Sequence, residues 1–315
     1  MKRLQGVLPI VHTPFTNNDE IDNATLHREI DWAYTQGANG LGTGMVSELL
    51  RLTFDERIAL THHIAEMSAG RGAVFAGVGA ESTKQALVYA KAAEKAGCDA
   101  VMAVPPVTTG CVTSHVVDYY CAIADAISLT VIVQDASGYV GKAIPLDVYV
   151  KLLERYGPEK IVFKPEASPI GPNLSALRDA TGGKARIFEG SGGILLVDSF
   201  HRGIAGTMPG MELLDGIVAL WNALERGDDE TAYRVYYPIC AIVALQLQAG
   251  LDGFLAVEKD LLVKRGVFPS ARRRTPNAWE LDPETAAEVD RLFARLQKAL
   301  SETNHGEHGG HGGRK

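Results

Sequence analysis

The stretch "IVFKPEASP", residues 161–169, decides how the rest of the chain is read. Ile161, Val162 and Phe163 make an unbroken apolar run of strand-favouring residues, the pattern of a strand covered on both faces. Such strands belong to parallel sheets whose crossover helices pack on the sheet. The run then passes straight into Lys164 and, two places on, Glu166. From position alone two readings stand: a strand end whose Lys–Glu pair meets water, or a pair held together for chemistry.

Short runs of the same kind recur at 6–11, 40–43, 73–78, 100–104, 130–134, 186–189 and 206–208. Between them lie stretches with helical spacing and start signals. In "LTFDERIALTHHIAEMSAG" (52–70), Thr53 with Glu56 three places on predicts a capping box. "NNDEIDNATLHREIDWAYTQG" (17–37), "ESTKQALVYAKAAEKAG" (81–97) and "IPLDVYVKLLERYG" (144–157) repeat the pattern. Strands alternating with helices imply parallel pairing through right-handed crossovers. Two α/β architectures fit, an open doubly wound sheet and a closed (β/α)8 TIM barrel. Eight strand candidates within some 250 residues favour the barrel. A dinucleotide-binding sheet would need a Gly-x-Gly-x-x-Gly turn, and "GLGTGMVSE" (40–48) has the wrong spacing and no acidic partner.

Beyond Met208 the strand pattern stops and helical patterns follow, broken at Gly227 and continued by "DGFLAVEKDLLVKRG" (252–266) and "DPETAAEVDRLFARLQKAL" (282–300). The expected organisation is a barrel over 5–225, a C-terminal helical extension over 226–302 and a disordered Gly/His-rich tail over 303–315. The 315 residues carry a net charge of −7, which argues against nucleic acid or an anionic membrane as a partner. No apolar run was found that approaches a membrane span, and the N-terminus does not read as a signal peptide, so a cytoplasmic location is expected. Cys98, Cys111, Cys121 and Cys240 lack metal or redox spacing and are expected reduced. His62 and His63 read as helix surface, and no metal site is expected; a metal-dependent aldolase would need clustered histidines at strand ends, and only His12 and the tail histidines come near.

A TIM barrel gathers its active site at the C-terminal ends of its strands. Those ends carry Thr13, Ser47 with Glu48, Gln134, Lys164 with Glu166, Glu189 with Gly190, and Met208. Lys164 alone is a lysine directly closing an apolar strand. An amine there attacks a ketone to give a Schiff base once it is unprotonated, and apolar surroundings can lower a lysine pKa to roughly 7–8. Residues i and i+2 of a strand face the same way, so Glu166 stands beside Lys164 at the barrel mouth.

The chain also resembles the dihydrodipicolinate synthase / N-acetylneuraminate lyase family of class I Schiff-base enzymes. The resemblance rests on "GVLPIVHTPF" (6–15), "LTFDER" (52–57), "AGVGAESTKQALVYAKAAEKAGCDAVMAVPP" (76–106), "FKPE" (163–166) and "GIAGTMPG" (203–210). It implies a barrel, Lys164 as the Schiff-base lysine, no cofactor, a small-molecule 2-keto acid as substrate, and a homotetramer or homodimer. The departures narrow it. The family's usual "GTTGE" is replaced by a segment ending in Ser47 and Glu48. The tyrosine that usually closes the fifth strand is replaced by Gln134 in "VIVQDASGY" (131–139), and Tyr139 stands where the synthases have an arginine. These features are similar to the L-2-keto-3-deoxyarabonate dehydratase branch, in which the glutamate two places after the lysine does the acid/base work; related deaminases of a hydroxylated pyrroline carboxylate are a further possibility. The resemblance therefore implies a dehydratase of a 2-keto-3-deoxy sugar acid, with Lys164 and Glu166 catalytic and Ser47, Glu48, Gln134, Gly190 and Gly192 binding substrate. A pyruvate-dependent aldolase, or a condensation like that of the synthase, is the alternative within the same chemistry. A non-catalytic barrel that binds a sugar acid is the alternative outside it.

Overall fold

A computed structural model describes residues 2–308. Eight parallel strands carry the fold: β1 Gly6–Val7, β2 Gly40–Gly42, β3 Ala73–Gly77, β4 Ala100–Ala103, β5 Thr130–Asp135, β6 Ile161–Pro165, β7 Phe188–Glu189 and β8 Gly206–Thr207. Each is followed by a helix: α1 Asn23–Thr35, α2 Phe54–Ser68, α3 Thr83–Lys95, α4 Thr113–Ala126, α5 Leu146–Tyr156, α6 Ile170–Ala180, α7 Leu196–His201 and α8 Leu214–Arg226. Pairing runs β2-β3-β4-β5-β6 and β1-β8-β7. Two parallel bridges, Ile10–Gly42 and Phe163–Ile187, close the seams between these sets and complete the barrel. The first strand is shorter than expected because Pro9 has no N–H to give to β2; pairing resumes where Val11 N–H meets Gly42 O at 2.8 Å.

The apolar runs are buried on both faces because the barrel has two cores. Leu8, Ile10, Phe75, Met102, Ile132, Val162, Phe188 and Met208 fill the lumen. Val131, Val133, Ile161 and Phe163, one position out of phase, pack against the helical shell. Strand alternation then continues the inward row of β5 from Ile132 to Gln134, and that of β6 from Val162 to Lys164. The helices start where their caps place them. Thr53 and Glu56 exchange backbone N–H bonds at the start of α2, and Asp22 caps α1 through the N–H groups of Ala24 and Thr25.

The C-terminal extension comprises α9 Asp229–Gln246, α10 Gly250–Lys264 and α11 Pro283–His308. The last helix overruns the start expected for the tail. An established helix gains a hydrogen bond with each added residue and needs no apolar anchor to continue for a turn or two. Residues 309–315 lie outside the described residues. The span Asp229–Lys264 is long and apolar enough to cross a membrane by length and composition, contrary to the expectation from apolar runs, but half of its apolar window is buried within the protein. It is two helices separated by a short 3-10 turn, and α10 carries the buried charges Asp252, Glu258 and Lys259. These are core helices of the extension. All four cysteines are free.

Candidate active site

At the C-terminal mouth of the barrel, β5 and β6 pair with Gln134 directly opposite Lys164. Lys164 Nζ lies 3.0 Å from Glu166 Oε2, and Gln134 Nε2 donates to the same oxygen at 2.7 Å. All three side chains are at least 95 % buried. The pair that could have met water is therefore enclosed. Burial pushes the Glu166 carboxyl above its usual range, while the Lys164 ammonium and the Gln134 amide pull it back and Glu189 adds to the rise. A carboxylate in this position is a stronger base than one in water.

These groups open onto a pocket of about 430 Å³, part of which is open to solvent. Its walls are mostly apolar, including Ile10, Met45, Val46, Met208 and Phe254, with Gln134, Tyr139, Lys164, Glu166 and Glu258 as the polar groups. Gly190 and Gly192 line it. Gly190 answers to space: a Cβ there would lie 2.5 Å from Glu166 Oε1 and nearer still to Lys164 Cε. Tyr139 stands edge-on to Phe254 with ring centroids 5.5 Å apart, and burial, followed by Glu166, raises its hydroxyl well above the usual range. Among the described residues lining the pocket, Lys164 is the only cation.

Ser47 and Glu48 do not reach this pocket, a correction to the expected binding set. Ser47 Oγ donates to Val11 O and accepts from Gly44 N at 3.1 Å, so its only proton is spent within the barrel backbone. The neighbouring Met45 and Val46 face the cavity instead. Glu48 binds Lys259 Nζ through Oε1 and accepts from Arg274 N at 2.9 Å through Oε2. Lys259 also donates to Thr13 O at 2.7 Å and Arg272 O at 2.9 Å. Glu48 thus fastens α10 across the barrel mouth, and that is what brings Leu251, Phe254 and Glu258 to the pocket.

A second buried polar cluster adjoins it. His12 Nε2 meets Glu258 Oε2 at 2.7 Å, and its Nδ1 meets Glu29 Oε1 at 3.3 Å. Burial alone would lower the imidazole pKa, but the two carboxylates outweigh it and push His12 up to about 10. Glu212 accepts from Gln246 Nε2 at 2.8 Å, while its Oε2 is buried with no partner. Burial and then the charge of Glu258 raise Glu212 to about 7. His12, Glu212 and Glu258 place potential ligand atoms within 4.8 Å of one another. A divalent cation would first have to displace the proton that His12 shares with its carboxylates, which opposes metal binding near neutrality.

Comparison with known proteins gives the family. The model of the dihydrodipicolinate synthetase family matches residues 3–277. The chain belongs to that family. It is 30% identical over 300 residues to the L-2-keto-3-deoxyarabonate dehydratase of Azospirillum brasilense, covering 93% of this chain and 95% of that one. It is 30% identical over 234 residues to the 4-hydroxy-tetrahydrodipicolinate synthase of Bartonella quintana, covering 74% and 79%. Several further relatives carry the same synthase name. The solved structure of the synthase from Methylacidiphilum fumariolicum superposes with a TM-score of 0.86 at 24% identity over 96% of this chain and 99% of that one, which shows the shared barrel and its helical extension.

As a member of the dihydrodipicolinate synthetase family, the protein is a Schiff-base-forming enzyme acting on a small 2-keto acid. Reading strand ends could not find Glu258, Glu212 or the pocket face of α10, which come from outside the repeating strands. One signal was present: adjacent Glu258 and Lys259 interrupt the apolar "GFLAVEKDLLV" (253–263), and a charge pair inside an apolar helix is a buried pair with partners elsewhere.

Proposed function

We propose that the protein is a dehydratase of a 2-keto-3-deoxy sugar acid. Lys164 Nζ adds to the C2 carbonyl and expels water, giving a protonated imine. C3 then lies about 2.5 Å from the imine nitrogen by ordinary bond geometry. Glu166, 3.0 Å from that nitrogen, is within reach of the C3 proton. Its removal gives an enamine, whose electrons expel the C4 hydroxyl as Glu166 returns the proton to the departing oxygen. The resulting unsaturated imine isomerises and is hydrolysed, which frees Lys164. Gln134 holds Glu166 in place and lies where it can orient the C4 hydroxyl. With no arginine in the lining, the substrate carboxylate falls to main-chain N–H groups of Met45 and Val46, the first two residues of a 3-10 turn.

The observation that carries this reading is the enclosed Lys164–Glu166–Gln134 set in a pocket whose remaining charge is a carboxylate. The dehydratase relative matched along almost the whole chain supports it. The second reading is carbon–carbon chemistry on a pyruvate imine, and the synthase relatives support it. Both begin with the same adduct. Incubation with a panel of keto acids, borohydride reduction and mass analysis should place the added mass on Lys164, and an unmodified Lys164 would sink both readings. Product analysis separates them: a semialdehyde without pyruvate supports dehydration, and released or consumed pyruvate supports the second. The expected tetramer or dimer and cytoplasmic location belong to the same proposal, and light scattering tests the assembly.

A further inference from the structure

We propose that Glu258, together with Glu212, forms a second pole of the pocket that binds the distal hydroxyls of the substrate and selects a polyhydroxylated keto acid over one bearing a second carboxylate. The inference rests on the keto-acid reading of the site and names what its far end recognises. Glu258 reaches the pocket from α10, whereas Lys164 and Glu166 come from the end of β6. Its Oε2 is committed to His12 Nε2 at 2.7 Å, and His12 is in turn fixed through its Nδ1 and its backbone N–H by Glu29 Oε1, at 3.3 and 3.0 Å. Glu258 Oε1 makes no hydrogen bond among the described residues. It lies beside Gly210, where an added Cβ would stand 2.7 Å from it and nearer still to Glu212 Oε2. Gly210 itself lines the pocket. Two carboxyl oxygens from different elements therefore meet at Gly210 in the cavity wall: Glu258 lines the pocket, and Glu212 Oε2 lies fully buried behind that wall without a partner.

An orphaned buried oxygen beside a cavity wall is unusual in a native structure and asks for a partner. The chemistry of the two groups differs. Glu258 is held as an acceptor by the His12 imidazolium. Glu212 Oε2 has no partner among the described residues and is left free to take one. A hydroxyl both donates and accepts, so one or two neighbouring hydroxyls satisfy the pair. A carboxylate offers only acceptors and would face Glu258 with like charge, while the His12 imidazolium behind Glu258 is already committed to Glu258 and Glu29. The alternative is that His12, Glu29 and Glu258 merely bind α10 to the barrel. That role would affect stability but not the choice among keto acids.

Binding of three acids to wild type and to Glu258→Gln should be measured by calorimetry, with pyruvate, a 2-keto acid hydroxylated at C4 and C5, and the same acid with a carboxylate in place of the terminal hydroxyl. Wild type should prefer the hydroxylated acid. Glu258→Gln should lower that preference roughly tenfold or more and leave pyruvate binding within about threefold. An unchanged preference, or an equal loss for all three acids, would overturn the proposal. If Glu258→Gln does not fold, Glu212→Leu takes its place, since it leaves the His12–Glu258 bond intact. It should cut the preference severalfold, and no change there would count equally against the proposal. Calorimetry needs no turnover, so failure of the dehydratase reading would appear separately, as binding and adduct formation without loss of water.

Discussion

Replacing Glu212 with glutamine tests the electrostatics of the buried cluster directly. In the folded protein, burial and the charge of Glu258 raise this carboxyl from its ordinary 4.5 to about 7, against the pull of His12 and Gln246. Between those values the folded chain keeps a proton that the unfolded chain has released. Stability must then fall with rising pH across that window, because the folded state binds more protons there. At 1.36 kcal/mol per unit, a rise of about 2.5 units amounts to roughly 3 kcal/mol lost between pH 4.5 and 7, with no further loss above. Glutamine keeps an acceptor for Gln246 Nε2, turns an N–H towards the unpaired side and does not titrate. The stability difference between Glu212→Gln and wild type should therefore widen in favour of the variant by about 3 kcal/mol from pH 4.5 to 8. His12, raised to about 10, contributes stability that is complete below 6.5 and is lost between 6.5 and 10. That contribution is present in both proteins and largely cancels in the difference. Urea unfolding of the two proteins at unit pH intervals measures it. A difference that stays constant with pH, or changes by less than about 1 kcal/mol, would show that Glu212 does not hold a shifted proton and would refute the argument.

Three other outcomes follow from the same geometry. Glu166→Gln should lower kcat by about 10²- to 10⁴-fold while borohydride still traps pyruvate on Lys164, and turnover within tenfold of wild type would exclude Glu166 as the base. Gly190→Ala should cost roughly 10²-fold in kcat/KM at nearly unchanged stability, because the added methyl displaces Lys164 and Glu166 by about 1 Å; an unaffected kcat/KM would mean that the pair moves aside freely. Lys259→Met leaves the buried Glu48 carboxylate without its cation and should destabilise the fold by about 3–5 kcal/mol in urea unfolding. Adding Glu48→Gln to that variant should recover part of the loss, and no recovery would show that the two residues do not act as a pair.

Much of this was legible because strand physics is local. A run such as 161–163 is apolar on both sides only when both sides are covered, and eight such runs separated by helices leave few arrangements. The two-residue period then carried Lys164 and Glu166 to one face, and Gln134 and Gly190 to the neighbouring strand ends, where the structure has them. The error at Ser47 and Glu48 has a different origin. Both stand at a strand end as the rule requires, but a strand end shows only where a side chain starts. Ser47 turns back to Val11, and Glu48 turns away to Lys259, 211 positions distant.

The order of strands, the crossovers and the inward-facing lysine–glutamate pair were determined by the sequence itself, since each depends on residues within a few positions of one another. The tertiary structure alone decided what encloses them. His12 and Glu258 are 246 positions apart, and no local pattern encodes their 2.7 Å contact. The fastening of α10 across the mouth turns a row of strand ends into a pocket and adds an acidic group to its wall. It depends on charges whose partners lie more than two hundred positions away, and a buried charge is tolerated only with its partner beside it.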